Sequence, residues 1–216
     1  LADFNGGGFD DLLLGWGHGT AYSRIFYNNQ QGNFDQSNSI ALPVSVYGVD
    51  NNLHMKTFSS DLDSDGDLDI LILQSRYDPF YSGTYIQYLE QSEPNVFIDV
   101  TSEKLVDPYQ FEDTFGERLQ WTNYWEVMDI DTDGDDDLVG TSVKDQSPII
   151  FVNDGEGNFA EANLKSSNIT GQPIAWGDYD KDGNIEFVTW HSTWSDSIGT
   201  SSTNSFYLYE YDGVIT

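Results

Sequence analysis

Three nine-residue segments carry acidic side chains at alternating positions. They are Asp61-Leu-Asp-Ser-Asp-Gly-Asp-Leu-Asp69, Asp129-Ile-Asp-Thr-Asp-Gly-Asp-Asp-Asp137 and Asp178-Tyr-Asp-Lys-Asp-Gly-Asn-Ile-Glu186. In a tightly curled backbone, the side chains at positions 1, 3 and 5 aim at one point, and glycine at position 6 permits the sharp turn. Position 7 can add its carbonyl and the acid at position 9 can close the shell. A shell made only of oxygen suits a hard divalent cation such as Ca²⁺, which takes ~6–8 such ligands. The segments hold no soft ligand, which disfavours zinc and copper. The candidate ligands are Asp61, Asp63, Asp65, Asp67 and Asp69; Asp129, Asp131, Asp133, Asp135 and Asp137; and Asp178, Asp180, Asp182, Asn184 and Glu186.

A fourth segment, Asp3-Phe-Asn-Gly-Gly-Gly-Phe-Asp-Asp11, aligns without gaps but has Gly7 at position 5. Its remaining ligands would be Asp3, Asn5 and Asp11. Three calcium sites are expected, and a fourth is left open. An EF-hand is excluded, because it needs a glutamate at position 12 and flanking helices. That position holds Ile72, Gly140 and Thr189, and the residues around it alternate as a strand. A plain Asp/Gly turn would also use these residue types, but three gapless copies, each directly before an apolar run, argue against it. Clustered carboxylates repel by a few kcal/mol even at an effective dielectric near ~20, so cation binding is expected to be coupled to folding.

The elements that must hold these loops read as strands. Positions 10 and 11 are apolar in all four copies: Leu12-Leu13, Ile70-Leu71, Leu138-Val139 and Phe187-Val188. Further β-branched and aromatic runs follow, such as Ile149-Ile-Phe-Val152 and Ser205-Phe-Tyr-Leu-Tyr209, with Gly/Asn/Asp turns between them. No segment sustains a 3.6-residue period. The expected fold is all-β, with about four strands per unit repeated radially as a β-propeller. The approximate units are 1–42, 43–105, 106–165 and 166–216.

The composition sets wider bounds. The 216 residues include 37 acidic and 8 basic side chains, for a formal charge of −29. This excess repels nucleic acid and anionic membranes, so neither is an expected partner. Three divalent ions, at two charges each, would leave −23. Cysteine is absent, which rules out disulfides and thiolate chemistry. No stretch has the ~18–20 apolar residues of a membrane span. The chain begins Leu-Ala-Asp, and is expected to be part of a longer polypeptide with further domains.

At the acidic loops and the Asn-x-x-x-Gly-Asn-Phe turns (Asn28 to Phe34, Asn153 to Phe159), the chain resembles the FG-GAP/VCBS repeats, the propeller blades also found in integrin α-chains. Phe97-Ile-Asp-Val-Thr101 resembles the family's usual exit from a blade. The resemblance implies that each acidic loop joins a blade's first and second strands on one face of a disc. It also implies a propeller commonly of seven blades, of which four are visible, the first lacking its innermost strand. An extracellular, secreted or surface-displayed setting follows, with adhesion or recognition of a glycan or extracellular protein as the function.

Such a ligand would meet the opposite face, where the loops between second and third strands lie. Aromatic and arginine side chains favour recognition surfaces, and the candidates are Trp16, His18, Tyr22, Arg76, Tyr77, Tyr81, Trp121, Trp125, Trp190, His191 and Trp194. Large aromatics also pack ordinary cores. Catalysis has little sequence support: His18, His54 and His191 lie in different units, outside any nucleophile motif. His54, preceding an apolar strand, reads as structural. One enzymatic alternative remains, because some calcium-loaded propellers are polysaccharide lyases with loops resembling Trp176 to Glu186. His191, Arg76 and Lys144 would then move protons or clamp an acidic sugar. A purely structural spacer is the third reading. Asn168-Ile-Thr170 is a glycosylation sequon if the chain passes through a eukaryotic secretory route.

Overall fold

The computed structural model describes residues 1–15, 22–78, 82–105, 125–141, 148–162, 172–194 and 202–210. They form four antiparallel sheets in chain order, each a meander in which neighbouring strands in sequence are neighbours in space. The first sheet holds β1 (Leu12–Leu14), β2 (Arg24–Asn28) and β3 (Phe34–Ala41). A single helical turn, α1 (Gly48–Asn51), leads into the second sheet of β4 (Asn52–Ser60), β5 (Asp69–Arg76), β6 (Ser82–Glu93) and β7 (Val96–Asp99). Another short turn, α2 (Thr101–Lys104), follows. The third sheet contains β8 (Glu126–Met128), β9 (Asp137–Thr141), β10 (Pro148–Asn153) and β11 (Phe159–Glu161). The fourth contains β12 (Gln172–Gly177), β13 (Glu186–Trp194) and β14 (Ser202–Glu210).

Strand alternation explains how the sheets stack. Successive side chains point to opposite faces, so an unbroken apolar run such as Ile70-Leu-Ile-Leu73 serves a sheet covered on both sides. Ile70 and Ile72 join Phe4, Ile25, Tyr27 and Leu42 in a core shared with the first sheet. Leu71 and Leu73 instead join Trp125, Leu138, Phe151 and Phe159 in a core shared with the third. The split recurs one sheet later. Leu138 faces back to the second sheet, while Val139 packs with Ile130, Ile150 and Val152 in a core that Trp176 and Ile185 of the fourth sheet flank. Each fully buried aliphatic or aromatic side chain contributes about 1.5–3 kcal/mol. Among the described residues, the middle two sheets supply most of the buried apolar side chains.

One expectation is corrected here. Trp125 was placed on an exposed aromatic face, but it is 0% exposed and stacks on Phe151 with ring centroids 6.4 Å apart. Lying just before β8, it is covered by the adjacent sheet and belongs to the core. The first sheet has three described strands, and ahead of its acidic loop an isolated bridge from Ala2 to Asp11 stands where Ser60 pairs with Asp69 in the second sheet.

His54 on β4 is a half-buried histidine at the boundary between the first two sheets. Its Nδ1 lies 3.1 Å from the Ser23 hydroxyl of the first sheet, and its Nε2 faces Thr57 on its own strand. Burial holds its pKa down to about 4, so the ring is neutral. Among the described residues, no helix is long and apolar enough to cross a membrane.

Candidate metal centres

Each acidic segment sits at the same hinge of its sheet, between first and second strands: β4 and β5, β8 and β9, β12 and β13. The backbone geometry repeats as well. Position 4 is left-handed in all four loops, at Gly6 (φ 67), Ser64 (φ 60), Thr132 (φ 62) and Lys181 (φ 65). Position 6 is left-handed glycine, with φ 80 at Gly8 and 97, 108 and 97 at Gly66, Gly134 and Gly183. Non-glycine residues resist this region, and local hydrogen bonds hold them there. The position-6 N–H donates to the position-1 carboxylate at 3.1 Å for Gly66 to Asp61, 3.1 Å for Gly134 to Asp129 and 3.2 Å for Gly183 to Asp178.

The acid at position 9 clasps the loop. Its carboxylate accepts the N–H of position 2: Phe4 to Asp11 at 3.0 Å, Leu62 to Asp69 at 3.2 Å, Ile130 to Asp137 at 2.8 Å and Tyr179 to Glu186 at 2.7 Å. In three sheets its other oxygen takes an N–H from β2, β6 or β10, namely that of Asn28, Gln91 or Asn153. The Tyr88 hydroxyl also donates to Asp69. This clasp was not anticipated from the sequence, where position 9 read only as a ligand.

Three groups of carboxylates converge with oxygens within 4.8 Å of one another: Asp61, Asp63 and Asp65; Asp129, Asp131 and Asp137; Asp178, Asp180, Asp182 and Glu186. Of the expected acidic ligands, Asp67, Asp69, Asp133 and Asp135 stand outside these groups. Asp69 does so while both its oxygens accept hydrogen bonds. In the first loop Asp3 accepts the N–H groups of Gly7 and Gly8, and Asp11 accepts that of Phe4. Among the described residues, no group of three acidic side chains forms around Asp3 and Asp11.

The donor set fits a hard cation. Asp61 Oδ1, Asp131 Oδ1 and Asp135 Oδ1 are buried without a hydrogen-bond partner, a costly state for a carboxylate oxygen. Burial pushes Asp137 up to about 7 and Asp69 up to about 6, against the N–H groups that each accepts. Asp135 rises to about 6 through burial and the neighbouring charges of Asp133, Asp131 and Asp129. Asp63 and Asp131 rise from the same two causes. A coordinated divalent charge would relieve both burial and repulsion.

The far face is only partly described. Arg76 and Tyr77 lie at the end of β5 opposite Asp69, with the Arg76 guanidinium 5.7 Å from the Tyr47 ring centre. Tyr77 N–H donates to the Asn51 carbonyl, Tyr22 is exposed, and Trp190 on β13 is half-buried. His191 and Trp194 contribute backbone to β13, and their side chains lie outside the described residues. Trp16, His18, Tyr81, Trp121, Lys144 and the Asn168 sequon also lie outside them.

Fold and site together define an all-β array of meander sheets, each turning on an acidic loop. Residues 129–189, which run from the acidic loop after β8 to the first residues of β13, match the family model of the FG-GAP-like repeat. Comparison with curated proteins and with solved structures gave no match.

Proposed function

We propose that the four sheets are blades of a calcium-loaded β-propeller, displayed outside the cell for recognition or adhesion. The observation that carries this reading is the recurrence of three convergent carboxylate groups at one hinge of three successive sheets. Asp61, Asp63 and Asp65 hold the first ion, Asp129, Asp131 and Asp137 the second, and Asp178, Asp180, Asp182 and Glu186 the third. When bound, calcium supplies charge neutralisation and a cross-link within each loop. Millimolar extracellular calcium would fill even weak loops, which supports the location. Glycans or extracellular proteins are the ligand classes that suit the aromatic and arginine residues at the far ends of the second strands. Calorimetric titration of the chelated chain with CaCl₂ tests the metal reading. It should return three ions per chain, and Asp63→Ala should reduce the count to two. Absence of binding at millimolar calcium would refute the reading.

A further inference from the structure

The turn closing the third sheet, Asn153 to Asn158, lies between two acidic loops and touches both. Within its own sheet, the Asn153 N–H donates to Asp137 Oδ1 at 2.8 Å and its Nδ2 to the Asp136 carbonyl at 3.2 Å. Across the sheet boundary, the same Nδ2 donates at 2.8 Å to the carbonyl of Leu62, 91 residues earlier and inside the loop of the second sheet. Asn153 is 2% exposed, so these bonds form out of competition with water. Other contacts fix the turn in the same place. Lys104 Nζ donates to the Glu156 carbonyl at 2.6 Å, and the Ser60 hydroxyl donates to Asp136 across the boundary. At Gly157, a Cβ would stand 2.7 Å from the Tyr88 hydroxyl and 3.4 Å from Asp63 Cβ. At Gly155 it would stand 2.9 Å from Asp135 Oδ2.

We propose that Asn153 is a positioning residue that couples cation binding in the loop after β4 to cation binding in the loop after β8. The proposal rests on the calcium reading above. An ion held by Asp129, Asp131 and Asp137 fixes Asp137, and Asp137 fixes the Asn153 backbone. The Asn153 amide then holds Leu62, whose own N–H is clasped by Asp69, in the conformation that brings Asp61, Asp63 and Asp65 together. Coupling between binding sites is reciprocal, so filling either loop prepares the other. The counterpart in the first sheet, Asn28, makes the equivalent bonds to Asp11 and to the Asp10 carbonyl. What distinguishes Asn153 is the added bond across the boundary.

The test uses the full chain with the loop of the fourth sheet silenced by Asp180→Ala and Asp182→Ala, titrated with CaCl₂ by calorimetry. A background of about 0.5 M NaCl shortens through-space effects to a few ångströms. Two ions should bind with a Hill coefficient of about 1.4, which corresponds to roughly fivefold coupling. Asn153→Ser keeps a short side-chain acceptor for the turn but withdraws the reach to Leu62. It should bind two ions with a coefficient of about 1. If that variant fails to fold, Gly157→Ala, which presses the turn away from Tyr88 and Asp63, should give the same loss. Two independent sites in the parent, or cooperativity that survives both variants, would overturn the coupling and leave the calcium reading intact. Absence of any binding would overturn both.

Discussion

The Trp125 indole occupies the space where a Cβ on Gly140 would stand: a methyl there would lie 2.2 Å from the ring. The two residues sit on either side of the β8–β9 pairing, in the core shared by the second and third sheets. Gly140 is therefore required by its neighbour. Gly140→Ala should overpack this core and cost roughly 1–3 kcal/mol or more, read as a lower urea midpoint with an unchanged slope. Gly15 stands in the same relation to the His54 ring, also at 2.2 Å.

The two roles of the acids should separate by mutation. Asp69→Ala leaves the N–H groups of Leu62 and Gln91 and the Tyr88 hydroxyl without their acceptor. Buried orphaned donors cost about 1–3 kcal/mol each, so this variant should be destabilised even in chelator. Asp65 is exposed and belongs to a cation group. Asp65→Ala should unfold like the parent in EDTA and lose only the increment that calcium adds. Paired urea titrations with and without calcium check both outcomes.

The pH dependence should reverse with calcium. Asp137 is raised to about 7 and Asp69 and Asp135 to about 6, from an ordinary 3.8. These groups hold protons more tightly folded than unfolded. Their contribution is complete below pH 3.8 and is lost as pH climbs through 6 to 7. His54 acts oppositely: its pKa falls from 6.5 to about 4, so its contribution is lost as pH drops through that range. Three carboxyls outweigh one imidazole, and the chelated chain should lose stability between pH 4 and 7. With calcium the ligands must be deprotonated, and stability should rise over the same interval. Thermal melts at stepped pH, with and without chelator, distinguish these slopes.

Backbone strain at position 4 gives a local prediction. Thr132 is β-branched and holds φ 62, a conformation that costs roughly 1 kcal/mol or more for such a residue. The equivalent residue of the first loop is Gly6, at φ 67. Thr132→Gly should raise the stability of the chelated chain by about 1 kcal/mol, less the added freedom of glycine when unfolded. Urea denaturation in EDTA reads the difference.

Much of the fold was legible because the repeat marks it. The apolar pairs after each loop, from Leu12-Leu13 to Phe187-Val188, announce strands, and their unbroken character fits sheets covered on both faces. The hinge position of the loops followed from the resemblance and is where the structure puts them. Position 9 was legible as an acid but not as a clasp, because its partners are backbone N–H groups that any sequence supplies. The sequence also hid Asn153's reach to Leu62. Its counterpart at the same bond to the position-9 acid is Gln91, in a tighter turn of different composition. Trp125 misled because a tryptophan beside a polar segment reads equally as surface or core until the neighbouring sheet is in place.

The direct test of the calcium account is the melting temperature of the chain in millimolar calcium and in excess EDTA, at pH 7 and fixed ionic strength. An ion at about 100 times its dissociation constant contributes about 2.7 kcal/mol, and each kcal/mol moves the midpoint of a chain this size by about 2–4 °C. Emptying three loops should therefore lower the midpoint in EDTA by roughly 10 °C or more. Superimposable curves would mean that the carboxylate groups of Asp61, Asp129 and Asp178 fold without an ion between them, and would contradict the account.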